Sequence, residues 1–170
     1  MRQRVGVNRV LVASVGVLVV TAYAGLMALQ ALVLDPLEAV PGQTLAQIHT
    51  HLSTQGFDVA GDILSVLVAA AIGVVLAVVV AVSSIFLRLK PTMVAVLFLA
   101  VLALGAPVTF GTGFALGMDV ADAYAVGGES HTVWAGVLYM SSLAALVAIP
   151  LTFAGSWARR NRQQGRTALA

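Results

Sequence analysis

Four stretches of this chain contain no Asp, Glu, Lys, Arg or His: Val10 to Leu34, Ile63 to Leu87, Thr92 to Met118, and Thr132 to Ala158. Each exceeds the roughly 20 helical residues that cover a hydrocarbon layer about 30 Å thick at about 1.5 Å per residue. The runs are continuously apolar and lack the alternation of a membrane barrel strand, so they are predicted as helices, whose backbone groups pair within the segment. Of the 170 residues 60% are apolar and 9% charged, against roughly a quarter charged in a soluble domain. So few charges would leave a compact body of this size with large apolar patches facing water. The expected fold is all-α: an integral membrane bundle of four transmembrane helices, one polytopic domain over residues 1–170, without an internal repeat.

The charges sort by side. Arg2, Arg4 and Arg9 precede the first span, Arg88 and Lys90 separate the second from the third, and Arg159, Arg160, Arg162 and Arg166 follow the fourth. Asp35, Glu38, Asp58 and Asp62 lie between spans one and two, with Asp119, Asp122 and Glu129 between three and four. His49, His51 and His131 fall with the acids. Cytoplasmic flanks retain Lys and Arg, so both termini are expected in the cytoplasm and the acidic loops outside. The preference for Arg over Lys, with abundant Ala and Val, suggests a GC-rich bacterial source and hence a bacterial plasma membrane. Ala22-Tyr23-Ala24 before Gly25 resembles a secretory cleavage site, but the apolar run continues to Leu34, which favours an uncleaved helix.

Turn chemistry agrees with these limits. Arg88-Leu-Lys-Pro91 is a tight turn that makes spans two and three an antiparallel hairpin. Asp35-Pro36 ends the first span, Asp62 can cap the second, and Gly127-Gly128-Glu129-Ser130 precedes the fourth. In the loop from Asp35 to Asp62, Leu45, Ile48 and Leu52 recur at helical spacing. They predict a short amphipathic helix lying on the outer bilayer surface, the alternative being a segment packed over the bundle mouth.

Several kinds of chemistry are excluded or disfavoured. There is no cysteine, hence no thiol nucleophile, disulfide or cysteine-ligated metal. No Asp, Glu, Lys, Arg or His lies inside a span, where proton pumps and ion-coupled carriers place theirs. No phosphate-cradling loop, triad or metalloprotease helix can be found, so an enzyme is not expected, and no cofactor is implied. His49, His51 and His131 are weak candidates for a metal site, because His49 and His51, two positions apart, diverge by about 200° on a helix. The short basic tail suits anionic lipid heads and not nucleic acid. Trp134 and Trp157 sit where interfacial anchors belong.

Small residues carry the clearer message. Ser65, Ala69, Gly73, Ala77 and Ala81 recur every four positions in span two, and Gly113 and Gly117 form a Gly-x-x-x-Gly pair in span three. In lipid, close backbone approach over such residues supplies packing energy, and span three is the expected internal partner of the first row. Tyr23, near the middle of span one, calls for a hydrogen-bond partner on another helix. Pro107 and Pro150 each remove a backbone bond, and the stretch through Gly105, Pro107 and Thr109 is a predicted helix break. The expected function is that of a small non-enzymatic accessory or assembly subunit, whose partners are the bilayer and other membrane subunits or itself. The alternatives are a small transporter or channel subunit with a pathway at the broken third helix, and an extracytoplasmic cation or metal sensor.

Overall fold

The computed structural model describes the backbone of residues 2–167 and the side chains of residues 7–155. The side chains of Arg2, Arg4, Trp157, Arg159, Arg160, Arg162 and Arg166 lie outside the described residues. The chain forms α1 (Arg2–Leu29), a π-helical turn (Gln30–Leu34), α2 (Asp35–Ala39), α3 (Leu45–Thr54), α4 (Val59–Phe86), α5 (Pro91–Ala103), α6 (Gly105–Tyr124) and α7 (Val133–Thr167). These make four long apolar rods that could span a membrane: Val7–Ala39, Val59–Phe86, Pro91–Tyr124 and Val133–Gly155. At 28 residues α4 is about 42 Å long, so its ends project beyond a hydrocarbon layer of about 30 Å.

Local chemistry sets the ends. Thr44 and Gln47 form a reciprocal capping box at the start of α3, with the Thr44 N–H donating to Gln47 Oε1 at 2.8 Å. The cap of α4 is Asp58, whose carboxylate accepts from the Gly61 N–H at 3.0 Å. Asp62, the expected cap, lies instead in the first turn, because the helix starts at Val59, three residues before that position. The third span is interrupted at Leu104, between α5 and α6. Pro107 then occupies the first turn of α6, where an N–H would lack an intrahelical partner in any case. Pro150 causes no such break, and α7 runs through it.

Alternating helix directions gather the two acidic connections at one end and the Arg88–Pro91 turn at the other. At the basic end Ala13, Val20, Ala77, Val94 and Phe98 form a buried cluster. Gly16 is required there, since a Cβ on it would enter the Phe98 ring. At the acidic end Ile48 and Leu52, both 0% exposed, pack with Val59, Leu116 and Val120. The amphipathic α3 therefore covers the bundle mouth and does not lie on the bilayer surface as first expected. Burying two such side chains is worth about 1.5–3 kcal/mol each, and α6 offers a fixed surface for them.

The small-residue row of α4 also has a different partner from the expected span three. Gly73 faces the Ala24 methyl, and Ala77 and Ala81 pack with Ala13 and Val20, so the row meets α1, the most extensive pairing in the bundle. The α4–α5 turn makes those helices neighbours, but it does not decide which face of α4 is smoothest. Ser65, at the end of the row, is exposed and returns its hydroxyl to the Asp62 carbonyl at 2.7 Å.

Candidate functional site: a cleft between the first, third and fourth spans

Tyr23 joins three spans. Its hydroxyl lies 3.0 Å from Thr109 Oγ1 on α6 and 3.0 Å from Ser142 Oγ on α7. Thr109 and Ser142 are buried, and with one proton on each hydroxyl Tyr23 can donate to one and accept from the other. The ring reaches this position because residue 105 is glycine: a Cβ there would lie 2.6 Å from the Tyr23 ring. The break between α5 and α6 thus leaves room for an aromatic side chain. Tyr23 and Gly105 also line a small apolar cavity of about 90 Å³ toward α4.

Thr109 is the floor of a larger cavity of about 340 Å³ between the π-helical turn of the first span, α6 and α7. It extends to Gly117 and Glu129 at the acidic end, so it follows α6 for eight positions, or about 12 Å. Its walls are apolar and aromatic: Phe110, Phe114, Ala135 and Tyr139. Phe110 and Phe114 are 60% and 53% exposed, with ring centroids 5.6 Å apart. Gly113 and Gly117, read from the sequence as a packing pair, line this cavity, and a Cβ on either meets nothing within 4 Å.

The mouth is polar. The π-helical turn at Gln30–Leu34 adds a residue to the helical repeat and leaves Gln30 and Ala31 buried. Such turns frequently occur at functional sites. Gln30 Nε2 donates to Ser130 Oγ at 3.2 Å, and Ser130 donates to Asp35 Oδ1 at 3.3 Å. The same carboxylate oxygen accepts from the His131 backbone N–H at 2.7 Å. Asp35 therefore pins the α6–α7 connection to the start of α2. Asp35 and Glu129 are the charged residues of the lining, which contains no Lys, Arg or His.

No histidine lines this cavity. His51 packs on the Tyr124 ring with centroids 4.7 Å apart and bonds Gln55 at 2.8 Å. His49 is on the same helix, with Nε2 buried and unpartnered, and His131 is at the Asp35 junction. No three His, Asp or Glu residues converge on a possible metal position among the described residues. Asp62, in the turn of α4 before the uncharged stretch, faces Asp119. Burial, a hydrogen bond to the Asp119 side chain, and the charges of Asp119 and Asp58 raise its pKa from 3.8 to about 6. A carboxyl pair can share a hydrogen bond only while one of them keeps a proton.

Of the residues that sequence reasoning marked as a helix break, Gly105 and Thr109 meet at Tyr23, while Pro107 shapes the turn between them. Sequence reasoning missed the mouth. Gln30 was visible as a polar residue within a span, but nothing local signals a π-helical turn or its pairing with Ser130. No known protein family, curated protein or solved structure matches the chain.

Proposed function

We propose that this chain is a non-enzymatic multi-pass protein of the bacterial cell membrane, with both termini cytoplasmic and the acidic end outside. In this reading it serves as an accessory or assembly subunit of a membrane complex. The charge sorting supports the orientation. The observation that carries the assembly role is the free face of α1. Ser14, Thr21 and Gly25 are exposed, and their spacing puts them within about 40° of one another on the side opposite Tyr23. Ser84, Thr112, Ser141 and Thr152 all return their hydroxyls to carbonyls of their own helix. Ser14 and Thr21 make no such bond among the described residues. Small and hydroxyl-bearing residues on a lipid-exposed face suit close contact with another helix.

Because the chain has no cysteine, a single Thr21→Cys substitution provides a specific cross-linking site. Cross-linking in native membranes should give a discrete larger species, and Val79→Cys, on the exposed face of α4, should give none. Blue-native electrophoresis should show a complex that is lost in Gly25→Leu. A monomer in both measurements would overturn the assembly role. Reporter fusions at Gln55 and after Arg166 test the orientation, which requires opposite compartments.

A small transporter or channel subunit is the second reading, favoured by the interruption at Leu104 beside a cavity that reaches Thr109. It requires flux in reconstituted vesicles that disappears in Gly105→Leu or Thr109→Val.

A further inference from the structure

We infer that the cleft between the π-helical turn of the first span, α6 and α7 is a binding site for an organic monocation with an apolar body. The role in a complex does not depend on this site. Three observations converge on it. The first is volume: about 340 Å³ falls within the roughly 300–1,000 Å³ range of small-molecule pockets. The space exists because Gly113 and Gly117 present no side chain to it, and no neighbouring helix fills the gap.

The second is the sign of the charge. Asp35 and Glu129 stand at the mouth and no base lines the cavity. Arg9, Arg88 and Lys90, the Lys and Arg residues among the described side chains, belong to the opposite end of the bundle, several Debye lengths away across the apolar helices. Asp35 Oδ1 is engaged by Ser130 and His131, but a carboxylate has a second oxygen with its own acceptor sites. Glu129 is exposed. An anion would meet two like charges here, and a neutral amphiphile could gain a hydrogen bond from them but no net charge attraction.

The third is the gradient along the cleft. Below the two carboxylates lie Tyr139, Phe110 and Phe114, whose rings can attract an organic cation through their quadrupoles and accept its apolar body through contact area. At the floor the Tyr23 hydroxyl already satisfies Thr109, so the deepest part of the site asks for no polar group. The ligand is thus an ammonium head with an apolar tail about 12 Å long, head toward the acidic end.

The test uses the cysteine-free background. Ser130→Cys places a near-isosteric thiol in the lining, and its alkylation by a neutral maleimide is followed in dodecyl maltoside micelles. Octyltrimethylammonium is compared with 1-octanol and octane-1-sulfonate at matched micelle-bound concentrations. Only the ammonium compound should slow alkylation, saturably and at least fivefold. Glu129→Gln should raise the half-protecting concentration about threefold to tenfold, whereas Asp122→Asn, outside the lining, should leave it unchanged. Gly113→Leu should abolish protection by filling the cavity, and Gly113→Ala, which adds a methyl group in open space, should weaken it with the fold intact. Equal protection by the alcohol or the sulfonate would overturn the inference, as would full protection in both Gly113 variants.

Discussion

Replacing Gly105 by Ala tests whether Tyr23 is the element that ties the spans together. The new Cβ would lie 2.6 Å from the Tyr23 ring, well inside contact distance, and overpacking of this kind costs about 1–3 kcal/mol. The ring can relieve the overlap only by withdrawing its hydroxyl from Thr109 and Ser142, both 3.0 Å away. Interhelical hydrogen bonds in membrane proteins average about 0.6 kcal/mol, so losing two costs about 1–2 kcal/mol. That sum has a ceiling, because Thr109 and Ser142 can return their hydroxyls to their own helices. Tyr23→Phe should therefore destabilise by about 1–2 kcal/mol and Gly105→Ala by about 1–3 kcal/mol. In a Tyr23→Ala background the overlap is gone, and Gly105→Ala should cost nothing or stabilise by about 0.5–1 kcal/mol through its better helix propensity. Reversible unfolding in mixed micelles, followed by circular dichroism, measures all four members of the cycle. If Gly105→Ala cost the same with and without the Tyr23 ring, or Tyr23→Phe cost nothing, the three-helix junction would not be holding the bundle.

Gly16→Ala should destabilise by about 1–3 kcal/mol because its Cβ would enter the Phe98 ring, and Phe98→Leu should recover most of that loss in the same unfolding assay. Asp35→Asn weakens the acceptor of the 2.7 Å bond from the His131 N–H. It should speed amide hydrogen exchange at His131 and its neighbours while leaving α4 protected, at a cost of about 1–3 kcal/mol. For Asp62, the folded state holds a proton that the unfolded chain releases near pH 3.8, and keeps it to about pH 6. Stability should decline as pH rises through that window and then level off. Asp62→Asn should flatten the profile and be the more stable protein at pH 7, and identical profiles would refute the assignment. Solvent reaching this partly exposed carboxyl keeps the effect modest.

Much of the architecture was legible from uninterrupted length. Helix formation in a long uncharged stretch depends on the segment itself, so the four rods could be placed without knowing their neighbours. The periodicity of Leu45, Ile48 and Leu52 identified α3, and Gly105 with Pro107 marked the interruption, because caps and missing N–H groups act within a few residues. Tyr23 was singled out for the same reason: a phenol within an apolar stretch needs a partner wherever the chain goes.

What the sequence determined by itself was the number, extent and apolar character of the helices, the division of its charges along the chain, and the absence of cysteine. Only the tertiary structure decided that α4 meets α1, that α3 sits over α6, that Thr109 and Ser142 are the partners of Tyr23, and that Gly113 and Gly117 border a cavity. The physical reason is that lipid gives one apolar face little preference over another. The pairing of faces then follows from many weak contacts summed between segments far apart in the chain, and such sums have no signature within any one segment.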